Sequence, residues 1–188
     1  SEGSKRTAKG VKETEGDYAT AWRDHGMAPK NASYQYVIYP FLSEDAQKNF
    51  GKTVKNDESF AIKRADSIAH IVLIKETSTT GYVVFEANKN LESGILKEVS
   101  KPAFVMVNQK RDKILTISAV QPDLNFPEYQ KGRFRNYSQA VELKITLEGK
   151  WNADANDFIK ATDNSGANTI ITLEWINGLP REFNLNKI

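Results

Sequence analysis

The feature that most constrains the fold of this chain is the unbroken alternation of apolar and polar residues in VELKITL, residues 141–147. Side chains of a β-strand point to opposite faces in turn, so this pattern indicates a strand with one buried face and one wet face. Similar short runs, rich in aromatic and β-branched residues, recur from residue 60 onward between turn-forming residues. The predicted strands are 60–64, 68–75, 80–85, 103–109, 113–119, 140–147, 157–161, 169–175 and 180–184.

Short strands at this spacing, with little helix between them, predict an all-β fold, namely an antiparallel β-sandwich. The stretch 121–136 carries two prolines and several aromatic residues, and we expect it to be a loop that crosses between the two sheets. Earlier in the chain, segments 17–25 and 33–39 are predicted strands, and Pro40 closes the second.

One short helix is predicted after residue 42. Ser43 suits an N-cap, and two acidic residues follow it in the first turn, where they favour the positive end of the helix dipole. Gly51 is expected to end this helix and to leave 51–59 as a polar linker. The inward-facing residues are predicted to be Phe41, Ala46 and Phe50.

Composition excludes several classes of function. The formal net charge is only +2 although 27% of the residues are charged, which argues against a nucleic-acid-binding arm with a basic stripe. The apolar runs are too short to span a bilayer, so no membrane partner is expected. Cysteine is absent, and this excludes disulfides, thiolate nucleophiles and cysteine-ligated zinc.

The chain has two histidines, and each has a chemical and a structural interpretation. His25 lies between Asp24 and a tyrosine-rich segment, a set of residues typical of proton transfer. Such a pair must share one proton within about 3 Å, however, and Tyr34 and Tyr36 are expected on one face with Tyr39 on the other. We therefore favour a turn histidine beside sheet tyrosines. His70, inside an apolar strand, is interpreted as a buried, hydrogen-bonded residue, and no catalytic residue is assigned.

The possible metal and sugar sites also have a structural interpretation. Asp154, Asn156 and Asp157 faintly resemble a calcium loop but lack its glycine and terminal acid, so a solvated turn is expected and no metal site is assigned. Trp151 and Trp175 are candidates for a sugar platform, although residues in or beside strands belong more often to a core.

The best candidate contact with an acidic glycan lies in segment 129–137. Arg133 and Arg135 offer guanidinium groups for sulfates and carboxylates, and Tyr129 and Tyr137 offer rings on which sugars stack. The alternative, a loop whose aromatic residues anchor it to the sandwich, stays open.

Four strings carry a family resemblance: DHGMAPKNASYQY (24–36), AHIVLIKETSTTGYVVFEA (69–87), VSKPAFVMVNQKRDKILTISAVQPDLN (99–125) and ITLEGKW (145–151). In this order and spacing they resemble the carboxyl-terminal part of polysaccharide lyase family 8 enzymes, specifically those of the chondroitin ABC lyase type. The resemblance extends from near Gly16 to the end of the chain.

The resemblance implies an architecture. Residues 1–57 would end the central β supersandwich domain, and residues 58–188 would form the C-terminal β-sandwich domain. The upstream catalytic domains of the same polypeptide would then be the partners of this chain. A secreted or periplasmic bacterial location is also implied.

The resemblance also implies a function. Such lyases cleave glycosaminoglycans (chondroitin or dermatan sulfate, with hyaluronan a further candidate) by β-elimination next to uronic acid. Their catalytic motifs lie outside anything that matches this chain, so it would be a non-catalytic β region. No cofactor is expected in this segment, while the whole enzyme leaves room for a divalent cation. The alternative function is an autonomous carbohydrate-binding β-sandwich module for acidic polysaccharide.

Overall fold

The structure, a computed structural model, describes residues 22, 24–30, 32, 34, 36, 38, 43–55, 59–111, 113–123, 140–175 and 178–188. Contacts within the chain divide it into two units, Ser1–Ser43 and Glu44–Ile188. Every helix and strand among the described residues lies in the second unit. The domain boundary after residue 57 stays a prediction.

The described part of the second unit contains one helix and eleven strands. In chain order they are α1 (Glu44–Lys55), β1 (Phe60–Ala65), β2 (Ala69–Ile74), β3 (Thr79–Val84), β4 (Leu96–Val99), β5 (Ala103–Arg111), β6 (Ile114–Val120), β7 (Val141–Leu147), β8 (Trp151–Ala153), β9 (Ile159–Asp163), β10 (Thr169–Trp175) and β11 (Arg181–Lys187).

The strands form two antiparallel sheets. The larger has seven strands in the order β1-β2-β3-β5-β6-β11-β8, and the smaller has four in the order β4-β7-β10-β9. Apolar residues from the inner faces of both sheets meet in one core, and Trp175 and Tyr82 are its largest fully buried side chains. The predicted antiparallel β-sandwich with one short helix is therefore confirmed. The predicted supersandwich strands at 17–25 and 33–39 lie largely outside the described residues.

All nine strands predicted after residue 59 are present within a few residues of their predicted bounds. Two strands were missed, β4 and β8, because runs of four and three residues are too short to show alternation. Of the loop predicted to cross between the two sheets, the structure describes residues 121–123, which are not in a strand.

The helix differs from its prediction at one end. Glu44 and Asp45 lie in its first turn as expected, and Ala46 and Phe50 are half-buried between exposed neighbours. Gly51, however, does not end it, because α1 runs on to Lys55. A glycine inside a helix costs only about 1 kcal/mol relative to alanine, which the adjoining turns can offset. The predicted linker 51–59 was therefore wrong for its first five residues. Phe41 lies outside the described residues.

The connection between β3 and β4 covers part of the core beside the edge of the smaller sheet. The N–H of Asn88 donates to the carbonyl of Val99 (2.8 Å), and the N–H of Leu91 donates to that of Lys97 (2.9 Å). These bonds attach the connection to the edge of the smaller sheet, and Leu91 is fully buried there. On the other side, Nη1 of Arg64 in β1 donates to the carbonyl of Asn90 at 3.0 Å.

Arg64 is itself held by the turn that follows β1. Its Nε donates to Oδ2 of Asp66 at 2.8 Å, while Oδ1 of Asp66 accepts the N–H groups of Ile68 and Ala69 at 2.8 and 3.0 Å. The hydrogen bond from the Ala69 amide, followed by that from Arg64, lowers the pKa of Asp66 below its ordinary value. The carboxylate thus fixes both the β1–β2 turn and the arginine that reaches the covering loop.

Gly94 allows the closest approach within this connection. Its φ is +72°, and a Cβ atom at this position would lie 2.1 Å from the Tyr82 hydroxyl oxygen. Burial raises the pKa of the Tyr82 phenol, as expected for a ring that is 2% exposed. Both the backbone conformation and the lack of space therefore require glycine here.

We expect Gly94→Ala to lower the free energy of unfolding by about 2–4 kcal/mol, through left-handed strain and overpacking against Tyr82. In a Tyr82→Phe background the clash is smaller, so the two changes should couple by about 1 kcal/mol or more in a double-mutant cycle measured by denaturant unfolding. Gly166→Ala is the matched control, because a Cβ atom there would meet nothing within 4 Å. An equal cost of Gly94→Ala in both backgrounds would contradict the proposed contact.

Candidate functional site

The four residues predicted to contact glycan fall in a part of the chain that is not described. Tyr129, Arg133, Arg135 and Tyr137 lie outside the described residues, between the end of β6 at Val120 and the start of β7 at Val141. Their role as a substrate contact therefore stays a prediction.

The first unit contains a short row of exposed rings. The rings of His25 and Tyr34 have centroids 5.8 Å apart, and Tyr34 stacks on Tyr36 at 5.9 Å. The two tyrosines are 63% and 72% exposed, so the row lies largely in solvent. Oδ1 of Asp24 accepts the N–H of Gly26 at 2.8 Å, as in a side-chain-capped turn. This geometry fits the turn interpretation of His25.

The interpretation of His70 as a buried residue was wrong. Its side chain is exposed on the outer face of the seven-stranded sheet and contacts the ring of Phe85 edge to face, with centroids 5.1 Å apart. The periodicity placed it correctly beside Val72 and Ile74, but that face of the strand points away from the core. The apolar neighbours of His70 on that outer face give it the sequence pattern of a buried residue.

The two strand tryptophans belong to the core. Trp151 is 3% exposed and Trp175 is 1% exposed, so neither ring is available as a sugar platform. In the predicted turn near residue 154, Oδ1 of Asp154 accepts a hydrogen bond from Nδ2 of Asn186 at 3.0 Å. Across the described residues, no three histidine, aspartate or glutamate side chains are grouped so as to hold a metal ion.

Sequence reasoning missed a cluster of three lysines at one end of the seven-stranded sheet, Lys113, Lys150 and Lys187, which we call the lysine cluster. The N–H of Lys187 donates to the carbonyl of Lys113 at 2.9 Å, and the next residue, Ile188, donates to the carbonyl of Lys150 at 3.1 Å. All three side chains are exposed. Pairing of β11 with both β6 and β8 brings the backbones of these three residues together.

A hydrogen-bonded network around Thr169 lies next to Lys150 of the lysine cluster. Thr169, fully buried, accepts the N–H of Trp151 at 2.8 Å, and its hydroxyl lies within donating distance of the Gly149 carbonyl (2.9 Å) and Asn164 Oδ1 (2.6 Å). Nδ2 of Asn164 returns a bond to the Trp151 carbonyl at 2.9 Å. The network fixes the backbone on both sides of Lys150.

Two of the lysines have further contacts near this network. Nζ of Lys150 donates to the carbonyl of Asn164, and Nζ of Lys187 lies 6.0 Å above the centroid of the Trp151 ring. The N–H and side chain of Ser165, and then the charge of Lys150, lower the pKa of Asp163. Three exposed ammonium groups on a fixed backbone can attract a polyanion, with a strength that falls as salt is added.

The chain is similar to several known proteins. The chain is 33% identical to the chondroitin sulfate ABC endolyase of Proteus vulgaris over 177 residues, which is 93% of the chain. This chain is a relative of the chondroitin sulfate ABC lyases. The chondroitin sulfate ABC exolyase of Bacteroides thetaiotaomicron is 27% identical over 196 residues, or 94% of the chain. The predicted resemblance to these lyases is confirmed, although no protein-family model matches the chain.

These lyases are much longer than the chain. It spans 16% of the length of the Proteus vulgaris endolyase and 19% of that of the Bacteroides exolyase. Among solved structures, the chondroitin AC lyase of Streptomyces coelicolor A3 matches 73% of the chain with a TM-score of 0.54, using 16% of its own length. At 13% identity this match shows a shared fold alone.

For this chondroitin ABC lyase relative, we expect Thr169→Val to lower the free energy of unfolding by about 1–3 kcal/mol, because it leaves the buried N–H of Trp151 without its acceptor. Thermal or denaturant unfolding measures the loss. Thr172→Val, on the outer face of the same strand, should stay within about 0.5 kcal/mol of the parent chain. Similar effects of the two changes would mean that the network contributes little to stability.

Proposed function

We propose that this chain is a non-catalytic β region of a larger glycosaminoglycan lyase, which cleaves chondroitin or dermatan sulfate by β-elimination next to uronic acid. The observation that carries the proposal is the match of 93% of the chain to a chondroitin sulfate ABC endolyase of which it spans only 16%. The role proposed for the region is to support the catalytic domains of the same polypeptide.

The contacts of the described residues favour a non-catalytic role for this region. β-Elimination needs a base for the C5 proton of the uronic acid, an acid for the leaving oxygen and a group that neutralises the carboxylate. Within the described ranges, His25 lies beside exposed tyrosines and His70 beside Phe85. Neither histidine, in these described contacts, is joined to an arginine and a carboxylate as such a site would require.

The remaining properties are proposed on the same basis. We place the whole enzyme outside the bacterial cytoplasm, either secreted or periplasmic. This segment is proposed to need no cofactor, and any divalent cation of the whole enzyme is proposed to bind elsewhere. No helix in the described part of the chain is long and apolar enough to cross a membrane.

The non-catalytic role is tested by an elimination assay. We expect the 188-residue chain to release no unsaturated uronate from chondroitin sulfate, and the full-length polypeptide that contains it to release this product, as followed by ultraviolet absorbance. Product formed by the chain alone would refute the non-catalytic role. A full-length polypeptide inactive on chondroitin, dermatan sulfate and hyaluronan alike would refute the assignment to glycosaminoglycan lyases.

The lysine cluster favours a second candidate function, an autonomous carbohydrate-binding module for acidic polysaccharide. Its three exposed lysines lie at the ends of adjacent strands, and their positive charge is suited to attract a sulfated polysaccharide. In this function the region would hold substrate near the enzyme without transforming it.

Binding of chondroitin sulfate to the isolated chain distinguishes the two functions. If the module is autonomous, the double change Lys113→Ala and Lys187→Ala should weaken binding about tenfold at low salt, because each exposed charge contributes up to about 1 kcal/mol. Lys63→Ala with Lys101→Ala removes the same charge from exposed positions outside the cluster and is the control. Arg133→Ala and Arg135→Ala test the other predicted contact. Binding too weak to detect at low salt would refute the module.

A further inference from the structure

The outer face of the seven-stranded sheet is apolar over four of its strands. The register aligns Ile62 of β1 with Val72 of β2, then with Gly81 of β3 and Met106 of β5. A neighbouring row contains Val83 and Phe104 side by side, and the exposed His70 lies next to Val83 in the same row. We call the following residues the apolar face: Ile62, Val72, Val83, Phe85, Phe104 and Met106.

Four large side chains of this face are about half exposed. The exposed fractions are 47% for Ile62, 46% for Phe85, 46% for Phe104 and 49% for Met106. A contiguous apolar patch of this kind is uncommon on a protein that functions alone, and it marks an interaction site. Scattered single residues would need no such explanation, but these are adjacent in the register.

The rest of the sandwich does not share this character. On the outer face of the smaller sheet, Lys160 pairs with Glu174 at 2.8 Å, and Lys144 lies 3.9 Å from Glu142. On the far half of the larger sheet, Thr116 bonds to Asn184 at 2.8 Å. Along the larger sheet, the apolar face therefore gives way to polar residues toward β11, as at the polar rim of a protein–protein interface.

Gly81 lies in the middle of the apolar face, and neither its backbone conformation nor the packing around it requires a glycine. A Cβ atom there would meet only the carbonyl oxygen of Val72, at 3.9 Å, and the φ of Gly81 is not in the left-handed region. Glycine in a strand interior weakens the strand, and where packing does not require it, it often marks the close approach of another backbone or ligand. The result is a notch between Val72 and Met106.

One end of this surface is already covered by the same polypeptide. Phe60, which pairs with Ile74 on the outward side of β1, contacts Phe50 of α1 edge to face with ring centroids 6.2 Å apart. The packed helix shows that this side of the sheet accepts apolar protein side chains. A polyanionic glycan would find no lysine or arginine in the two rows that form the apolar face, so protein is the better occupant.

We propose that the apolar face, with its notch at Gly81, is the surface on which another part of the same lyase polypeptide docks, inserting an apolar side chain between Val72 and Met106. This inference rests on the proposed function, in which the chain is one region of a longer enzyme. The matched relatives carry more than four-fifths of their length outside the segment that the chain matches. A segment of that remaining length would be covalently attached to this region, so it would always be present to cover the apolar face.

Oxidation of Met106 by hydrogen peroxide tests the docking directly. The chain has only two methionines, and Met27, 99% exposed, reports that the oxidant acts on the isolated chain. Met106 should be oxidised in the 188-residue chain and about tenfold more slowly in the full-length lyase polypeptide, as measured by peptide mass spectrometry. Equal rates in the two proteins would overturn the proposal.

Gly81→Val gives opposite expectations for folding and for docking. In the isolated chain it should leave the midpoint of thermal unfolding unchanged or raise it, because valine suits a strand and the site has room. In the full-length polypeptide it should fill the notch and return the oxidation rate of Met106 toward that of the isolated chain. Thr172→Val, on the outer face of the smaller sheet, is the control and should not change that rate.

The remaining outcomes each decide one point. Self-association of the 188-residue chain that protects Met106 and is abolished by Gly81→Val would assign the face to a second copy and overturn the proposed occupant. If Gly81→Val destabilised the isolated chain, the domain itself would require the glycine, and Gly81 would no longer indicate a docking notch. Lyase activity of the full-length polypeptide reports on the proposed function separately, since protection of Met106 does not depend on turnover.

Discussion

The constraint on which this structure depends is the unequal width of its two sheets. A seven-stranded sheet must bury its inner face, but the opposing sheet has only four strands. The connection from β3 to β4 makes up part of the difference, because it bonds to the edge of the smaller sheet and buries Leu91 completely. Arg64 joins this cover to β1, and Asp66 holds the arginine in place. The close packing of Gly94 against Tyr82 follows from this arrangement, since the connection must pass directly over the core ring.

The same width explains why one domain has two kinds of outer surface. The smaller sheet presents charged side chains outward, as an antiparallel sheet exposed on one side normally does. The larger sheet presents polar side chains outward mainly in the half that holds β6 and β11, where Thr116, Ser118 and Asn184 face outward. Its other half has apolar residues on both faces, which is the pattern of a sheet covered on both sides. The strands that look most buried in the sequence are therefore the ones that need a second partner.

Local patterns predicted most of the fold. Strands such as VELKITL were readable because alternation and turn residues agree with the tertiary environment, and all the longer strands appeared where expected. The short strands β4 and β8 were not readable, because each owes its assignment to a neighbour in the sheet rather than to its own pattern. The end of α1 was also mispredicted, since a glycine that usually stops a helix is tolerated at Gly51. His70 was misplaced because periodicity finds a face but cannot tell which side of the sheet is covered.

Sites were harder to predict than strands for a related reason. The lysine cluster joins three residues that are far apart in sequence, and antiparallel pairing of β11 with two partners brings them together. No local motif predicts such a cluster, whereas segment 129–137 is predicted as a glycan contact because its charges and rings are contiguous in the sequence. Gly81 is a similar case: the sequence places it inside a predicted strand, and only the register, with Val72 on one side and Met106 on the other, shows that it lies in the centre of a face. A β-sheet thus builds its surfaces across strands, so the residues that recognise a partner are read in register order rather than in chain order.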